Sequence, residues 1–401
     1  MLASKKARVI LFIAVLLAIS LSMYAFNQAP ETKHNESGNS AASKKFEKAK
    51  VLRVISEDLQ REPSRGNLYN GSQELELKIL SGEHKGEIHT ITNNISVYLN
   101  VVAKKGQTII VDIDTASPTY YIISVYSYYR APILYGMALL FFGLLWWIGG
   151  RKGLMSVLGI VFTFACVFYL FIPMLYRGYS PLLASALIVI LATFVTLTLL
   201  NGWTARSWSA ILGTICGVII SAALAYIFGN LTHISGYNTA EVDVLITIAD
   251  ETGMQLGGML FAGILLSSLG AIIDVAISIA ASVHEVYMTN PNLTKRELFK
   301  SGINVGRDMM GTMANTLILA LTGTTLASLM VLYAIKASFT QLTNMNTVTI
   351  EVIQGLTGCF GVVLTVPIVA FISSRIIPNF EKKAALNREL AKTTVTRASE
   401  V

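Results

Sequence analysis

Charge is what this chain has least of. Only 14% of its 401 residues are Asp, Glu, Lys or Arg, while 53% are apolar. An ordinary soluble domain carries about a quarter charged residues, so the balance excludes both a disordered chain and an ordinary soluble enzyme. Cysteine is nearly absent. Cys166, Cys216 and Cys359 each lie in a different apolar run and none in the polar N-terminal third, so no disulfide framework or zinc site is legible. They read as small packing residues. Catalytic signatures are missing as well: no phosphate loop, no HExxH and no nucleophile elbow, which points away from an enzyme and from any cofactor. The net charge of +7 invites a nucleic-acid reading, but the basic residues gather at the ends of apolar runs. That placement is a membrane topology signal and not a nucleic-acid footprint.

What the chain has in abundance is long apolar runs. Lys5, Lys6 and Arg8 precede the first, Val9 to Phe26. This is a membrane anchor or a signal peptide, and its length favours the anchor. Residues 27–50 are polar and read as a flexible tether. Residues 51–129 read as a small extracytoplasmic β domain of barrel type. Leu75, Leu77 and Ile79 alternate with Glu74, Glu76 and Lys78, and Thr108 to Asp114 alternates likewise. Asn70-Gly71 is a tight-turn signal ahead of the first of these strands. His84 and His89 lack a supporting acid or cysteine spacing and are expected to be solvated rather than metal-binding. Tyr120 to Arg130 is aromatic-rich, as a last strand or an interfacial belt would be.

Seven further runs follow: about Ala131 to Ile148, Leu154 to Leu175, Leu182 to Leu200, Ile211 to Phe228, Gln255 to Val283, Gly311 to Ile335 and Ile353 to Ile377. With the N-terminus inside, Arg151, Lys152, Arg206, Lys295, Arg296, Lys300 and Arg307 fall in inner loops. The expected architecture is therefore mainly α: a polytopic membrane helix bundle of eight spans. Residues 131–377 form seven of them, 378–401 form a basic cytoplasmic tail, and both termini lie inside. The loop Gly229 to Met254 carries Glu241, Asp243, Asp250 and Glu251 and no Lys or Arg. It is either an acidic vestibule that concentrates cations or an ordinary solvated outer helix. Thr294 to Glu297 spells a capping box, so a basic amphipathic helix starts there on the inner side.

Asp274 is the only carboxylate placed deep in an apolar run. Ser267, Gly270, Asp274, Ser278, Ser282 and Glu285 fall at steps of three and four and share one helix face. With His284 at the membrane boundary, Asp274 lies roughly 15 Å inside a core of about 30 Å. A carboxylate there costs on the order of 3 kcal/mol unless it is paired, protonated or wet. On the next run Asn304, Asp308, Gly311, Asn315 and Thr322 align similarly, and on the last Gln354, Gly358, Gly361 and Thr365 do. Asn315 is the expected partner of Asp274, and Arg307 that of Glu285. Two readings stand. In one, Asp274, Ser278, Asn315 and Gln354 line an ion or substrate path, with Glu285, Arg307 and Asp308 as an inner gate. In the other, these polar groups only hold the bundle together, and the protein is an envelope receptor or assembly factor acting through its outer domain.

Gly270-Ala-Ile-Ile-Asp274-Val-Ala-Ile-Ser278, Gly306-Arg307-Asp308-Met-Met-Gly311-Thr-Met-Ala-Asn315 and Val366-Pro367 resemble the signature segments of the YibE/F-like integral membrane proteins. The extra N-terminal span and outer domain are similar to the larger, YibE-type member. The resemblance implies a multi-pass protein of a bacterial plasma membrane. It also implies a hetero-oligomer with a shorter YibF-type membrane protein. It carries no settled activity, so a transport component moving a cation or small molecule is an expectation from the polar faces alone.

Overall fold

A computed structural model describes residues 44–63, 66, 68–115, 121–239 and 241–399, the side chains of 384–399 excepted. The expected anchor at residues 1–26 lies outside the described residues. The described residues fall into two compact units, one ending at Leu144 and one beginning at Leu145.

The first unit is built on five antiparallel strands, β1 (Lys44–Arg61), β2 (Tyr69–Ile79), β3 (Ile88–Ile95), β4 (Thr108–Asp114) and β5 (Ile122–Tyr128). Their order is β3-β2-β1-β4-β5, and the end strands β3 and β5 approach each other, so the sheet curls into a half-barrel. Alternation decides which side is the core. Ala49, Val51, Leu75, Leu77, Ile79, Ile109, Val111 and Ile113 are all fully buried. β1 is long enough to serve both halves: Lys44 to Lys50 pairs with β4, and Ala49 to Arg61 pairs with β2. Residues 44–50 are thus strand where the sequence suggests tether. Asn70-Gly71 is not the turn either. Both lie inside β2, with Gly71 opposite Leu59 at a φ of 136°. A Cβ at Gly71 would run into the Asp58 carbonyl, which is what reserves the position for glycine.

The first unit ends within α1 (Ala131–Cys166), whose part from Leu145 onward opens the helical unit and leads through a π turn at Val167–Phe171 into the short α2 (Ile172–Tyr176). Then come α3 (Pro181–Asn201), α4 (Ala205–Leu231), α5 (Val242–Thr252), α6 (Met259–Thr289), α7 (Lys295–Thr324), α8 (Leu326–Ala334), α9 (Phe339–Asn344) and α10 (Asn346–Ser399). Within α1, Gly150 adopts φ 53° and ψ −131°, a conformation open to glycine alone. A Cβ on Gly153 would overlap the carbonyl of Leu145, eight residues back. In a continuous helix those residues stand about 12 Å apart, so the chain doubles back at Gly150. Among the described residues five helices are long and apolar enough to cross a membrane, or six if the bent pair α7 and α8 is one span. Ala131–Tyr176 counts there as one helix and the expected first span lies outside the described residues, so the described residues give five or six spans of the eight expected.

The core of the bundle lies between α3, α4, α6, α7 and α10. α10 runs against α4, α6 and α7, and α4 against α6. Small residues bring the axes close. Ser221 on α4 donates to the Thr357 carbonyl of α10 across 3.0 Å. Gly306 of α7 leaves no room for a Cβ beside Val366. The capping box at the start of α7 forms as its sequence requires: Thr294 accepts from the Glu297 amide, and the Glu297 carboxylate accepts from the Thr294 amide at 2.8 Å.

Candidate functional site

α6 sorts its residues sharply. Ile272, Val275, Ala276, Ile279, Ala280 and Val283 have no exposure and pack into the bundle. Gly263, Ser267, Gly270 and Asp274 lie on the opposite side and are exposed. A Cβ placed on Gly263 or Gly270 would meet nothing within 4 Å. This is an open face, narrow in side chains, with Asp274 at its middle and Glu285 further along. Asp274 is equidistant from the helix ends Met259 and Thr289, so it occupies the middle of α6. Its carboxylate has no hydrogen-bond or ion-pair partner among the described residues.

The neighbouring helices answer this face only in part. Gln354 of α10 is half-buried and donates to the Ser267 hydroxyl across 3.2 Å. Ser278 is half-buried, and its carbonyl accepts from Ser282 at 2.9 Å. Asn315 is exposed on α7, as are Asn304, Asp308, Gly311 and Thr322. No hydrogen bond joins Asn315 to Asp274 among the described residues. The reason lies in how α7 docks. Leu298, Gly302 and Gly306 are its buried seam, against Val283, Val366 and Ala370, and that seam turns the Asn315 side outward. Glu285, Arg307 and Asp308 are likewise exposed, and no ion pair links Glu285 with Arg307 among the described residues. The pairing near that end of the bundle is a different one: His284 Nε2 stands 3.5 Å from Glu381 Oε1.

Glu241, Asp243, Asp250 and Glu251 are exposed at and along α5, an 11-residue amphipathic helix that ends at Gly253 in the left-handed conformation. A further acid, Glu351 of α10, lines a cavity of about 290 Å³ where α7 breaks into α8 with a 63° bend. Its place near the start of the last apolar run was visible in the sequence. The break that makes room beside it was not.

The half-barrel has a polar cluster of its own. Tyr121 donates to Glu87 Oε2 at 2.5 Å, His89 Nε2 lies 2.9 Å from the same oxygen, and His84 Nδ1 lies 3.3 Å from Glu87 Oε1. The Tyr121 hydroxyl, helped by His89, holds the Glu87 carboxyl down at about 2. The same bond pushes the Tyr121 phenol up. No group of three or more His, Cys, Asp or Glu residues suited to a metal occurs among the described residues.

Residues 137–379 match the family model described as YibE/F-like protein, and residues 43–126 match that of the YibE/F family N-terminal domain. No curated protein and no solved structure matches this chain. The two family matches cover the half-barrel and nearly all of the helical bundle, and by them the chain belongs to the YibE/F-like family of membrane proteins.

Proposed function

We propose that this protein is a transport component of a bacterial plasma membrane, and that its polar path forms where the open face of α6 meets a second membrane protein. One observation carries the reading: among the described residues Asp274 stands unpaired, at the centre of the most buried of the candidate membrane helices, on a face lined with glycine and serine. A carboxylate left against lipid at that depth costs about 3 kcal/mol. Another chain, or water held by one, has to cover it. The partner proposed is a shorter YibF-type protein. Asp274 would bind or titrate with a cation or a small cationic molecule. Ser267 and Gln354 lie on one side of it along α6 and Ser278 on the other. Glu285, Arg307 and Asp308 would gate the inner end, and the acids of α5 would attract cations at the outer one. No enzymatic step is assigned. The doubling back at Gly150 supports counting Ala131–Tyr176 as two spans, which with α7–α8 and the N-terminal run would restore eight spans and place both termini inside.

The same open face also favours a second reading, that of an assembly protein in which it is only a contact surface. The test co-expresses both proteins and reconstitutes them in vesicles. The transport reading expects Asp274→Asn to keep the complex intact and abolish cation flux. Loss of the complex, with the outer half-barrel then accounting for all function, would favour the assembly reading. Undiminished flux with Asn at this position would overturn the path through Asp274.

A further inference from the structure

The cavity at the break between α7 and α8 belongs to none of the assignments above. Its volume is about 290 Å³, at the small end of the range for ligand sites. α10 forms the far wall with Thr347, Glu351 and Val352, while Thr322, Thr325 and Leu329 line the near one. The opening exists because the helix bends by 63° at Thr325 and carries α8 away from the line of α7.

Glu351 is the one charged residue among the lining side chains, and no Lys or Arg is among them. Its carboxylate has no hydrogen-bond or ion-pair partner among the described residues. Two of the threonines add acceptors rather than donors. Thr322 spends its hydroxyl hydrogen on the Ile318 carbonyl at 2.8 Å, and Thr325 spends its own on the Leu321 carbonyl at 3.1 Å. Their remaining lone pairs and the Glu351 carboxylate suit a positively charged donor, and the lining has no cation to hold an anion; Ser328 and Thr347 add two further hydroxyls. A hard metal ion of the calcium or magnesium kind wants about six converging oxygens. Here the rest of the wall is Leu, Ile and Val with Ser328 and Gly355.

We infer that this cavity binds an organic ammonium ion with an apolar body, its charge on Glu351 and its body against Leu329 and Val352. As a binding site it stands without Asp274. As a substrate site it rests on the transport reading above, and it names the class of substrate.

The test titrates the full-length, detergent-solubilised protein with benzylammonium, using benzyl alcohol and benzoate as the neutral and anionic counterparts. The inference expects saturable benzylammonium binding at least tenfold tighter than that of benzyl alcohol, and no benzoate binding. Glu351→Gln, nearly the same in shape, removes the tenfold preference. Gly355→Leu, which fills the cavity, removes binding of both ligands. Equal affinity for the amine and the alcohol in the native protein would overturn the inference. So would a preference that survives Glu351→Gln. Flux measured with Asp274→Asn bears on the transport reading alone, so the two can fail separately.

Discussion

Gln354 on α10 donates its amide hydrogen to the Ser267 hydroxyl on α6 across 3.2 Å. Ser267 lies two helical turns, roughly 10 Å, from Asp274 on the same open face. The bond therefore pins one end of that face to α10 and leaves the Asp274 end without a hydrogen-bond or ion-pair partner among the described residues. Hydrogen bonds between membrane helices contribute about 0.6 kcal/mol on average, because the separated helices find other partners. A double-mutant cycle of Gln354→Ala and Ser267→Ala, read by reversible unfolding in mixed detergent, should return a coupling near that value. Additive effects would mean that the bond does not form.

The approach of α7 to the bundle depends on Gly306. A side chain there would overlap Val366, and its Cβ would stand only 3.2 Å from Ile279 Cδ1. Gly306→Leu should lower stability by about 1–3 kcal/mol through overpacking. Gly311, one turn and a half further along α7, faces open space. Gly311→Ala should be neutral or stabilising by up to about 1 kcal/mol, since alanine is the better helix former. Melting of the two variants in detergent separates a seam from an open face on one helix.

Gly150 offers a backbone counterpart. Its φ of 53° with ψ −131° is denied to residues with a Cβ, whereas neighbouring Gly149 has no such strain and nothing within 4 Å. Gly150→Ala should cost on the order of 1–3 kcal/mol and Gly149→Ala almost nothing. Equal melting temperatures for the two variants would show that the chain does not turn at Gly150.

These cases mark how far the sequence could be followed. Period-two alternation located Leu75, Leu77 and Ile79, and they are fully buried. The Thr294–Glu297 capping box was legible because its two bonds are local. The strand at Lys44 to Lys50 was not. Its composition is that of a solvated segment, and it becomes a strand by pairing along its whole length with β4, about sixty to seventy residues downstream. Asn70-Gly71 misled for a similar reason: Gly71 is needed where β1 approaches closely, and not for a turn. Helical periodicity put Ser267, Gly270 and Asp274 on one face, and they share one. Periodicity does not say what stands opposite a face. The seam of α7, set by Gly302 and Gly306, turned Asn315 away from the position expected of a partner.

Glu87 gives the half-barrel an acid sensitivity with a definite sign. The Tyr121 hydroxyl, His89 and His84 together hold its carboxyl down at about 2, below the usual 4.5. A depressed carboxyl lends stability that is full above the unfolded value and is lost as pH falls toward the folded one. Protection of the β3 amides against hydrogen exchange, corrected for intrinsic rate, should therefore weaken between about pH 4.5 and pH 2. Glu87→Gln should flatten that part of the profile. Tyr121→Phe, which removes the leading hydrogen bond, should move the loss to higher pH. An unchanged profile in both variants would detach the acid response from this cluster.

Asp274 allows insertion and association to be separated. On insertion scales an aspartate at a helix centre costs about 2.5–3.5 kcal/mol, and a leucine gains up to about 0.6. Asp274→Leu should therefore make isolated α6 easier to insert by about 3–4 kcal/mol in a translocon assay. If the open face is covered only by lipid, the intact protein should gain from the same change and keep its activity. If it is covered by another chain that brings polar groups to the acid, the gain in insertion is matched by a loss: the complex weakens and flux stops. Asp274→Asn lies between, keeping a hydrogen-bonding side chain without the charge. Cross-linking yield to the partner, measured alongside insertion for Asn and Leu at this position, distinguishes an acid tolerated against lipid from one the assembly needs.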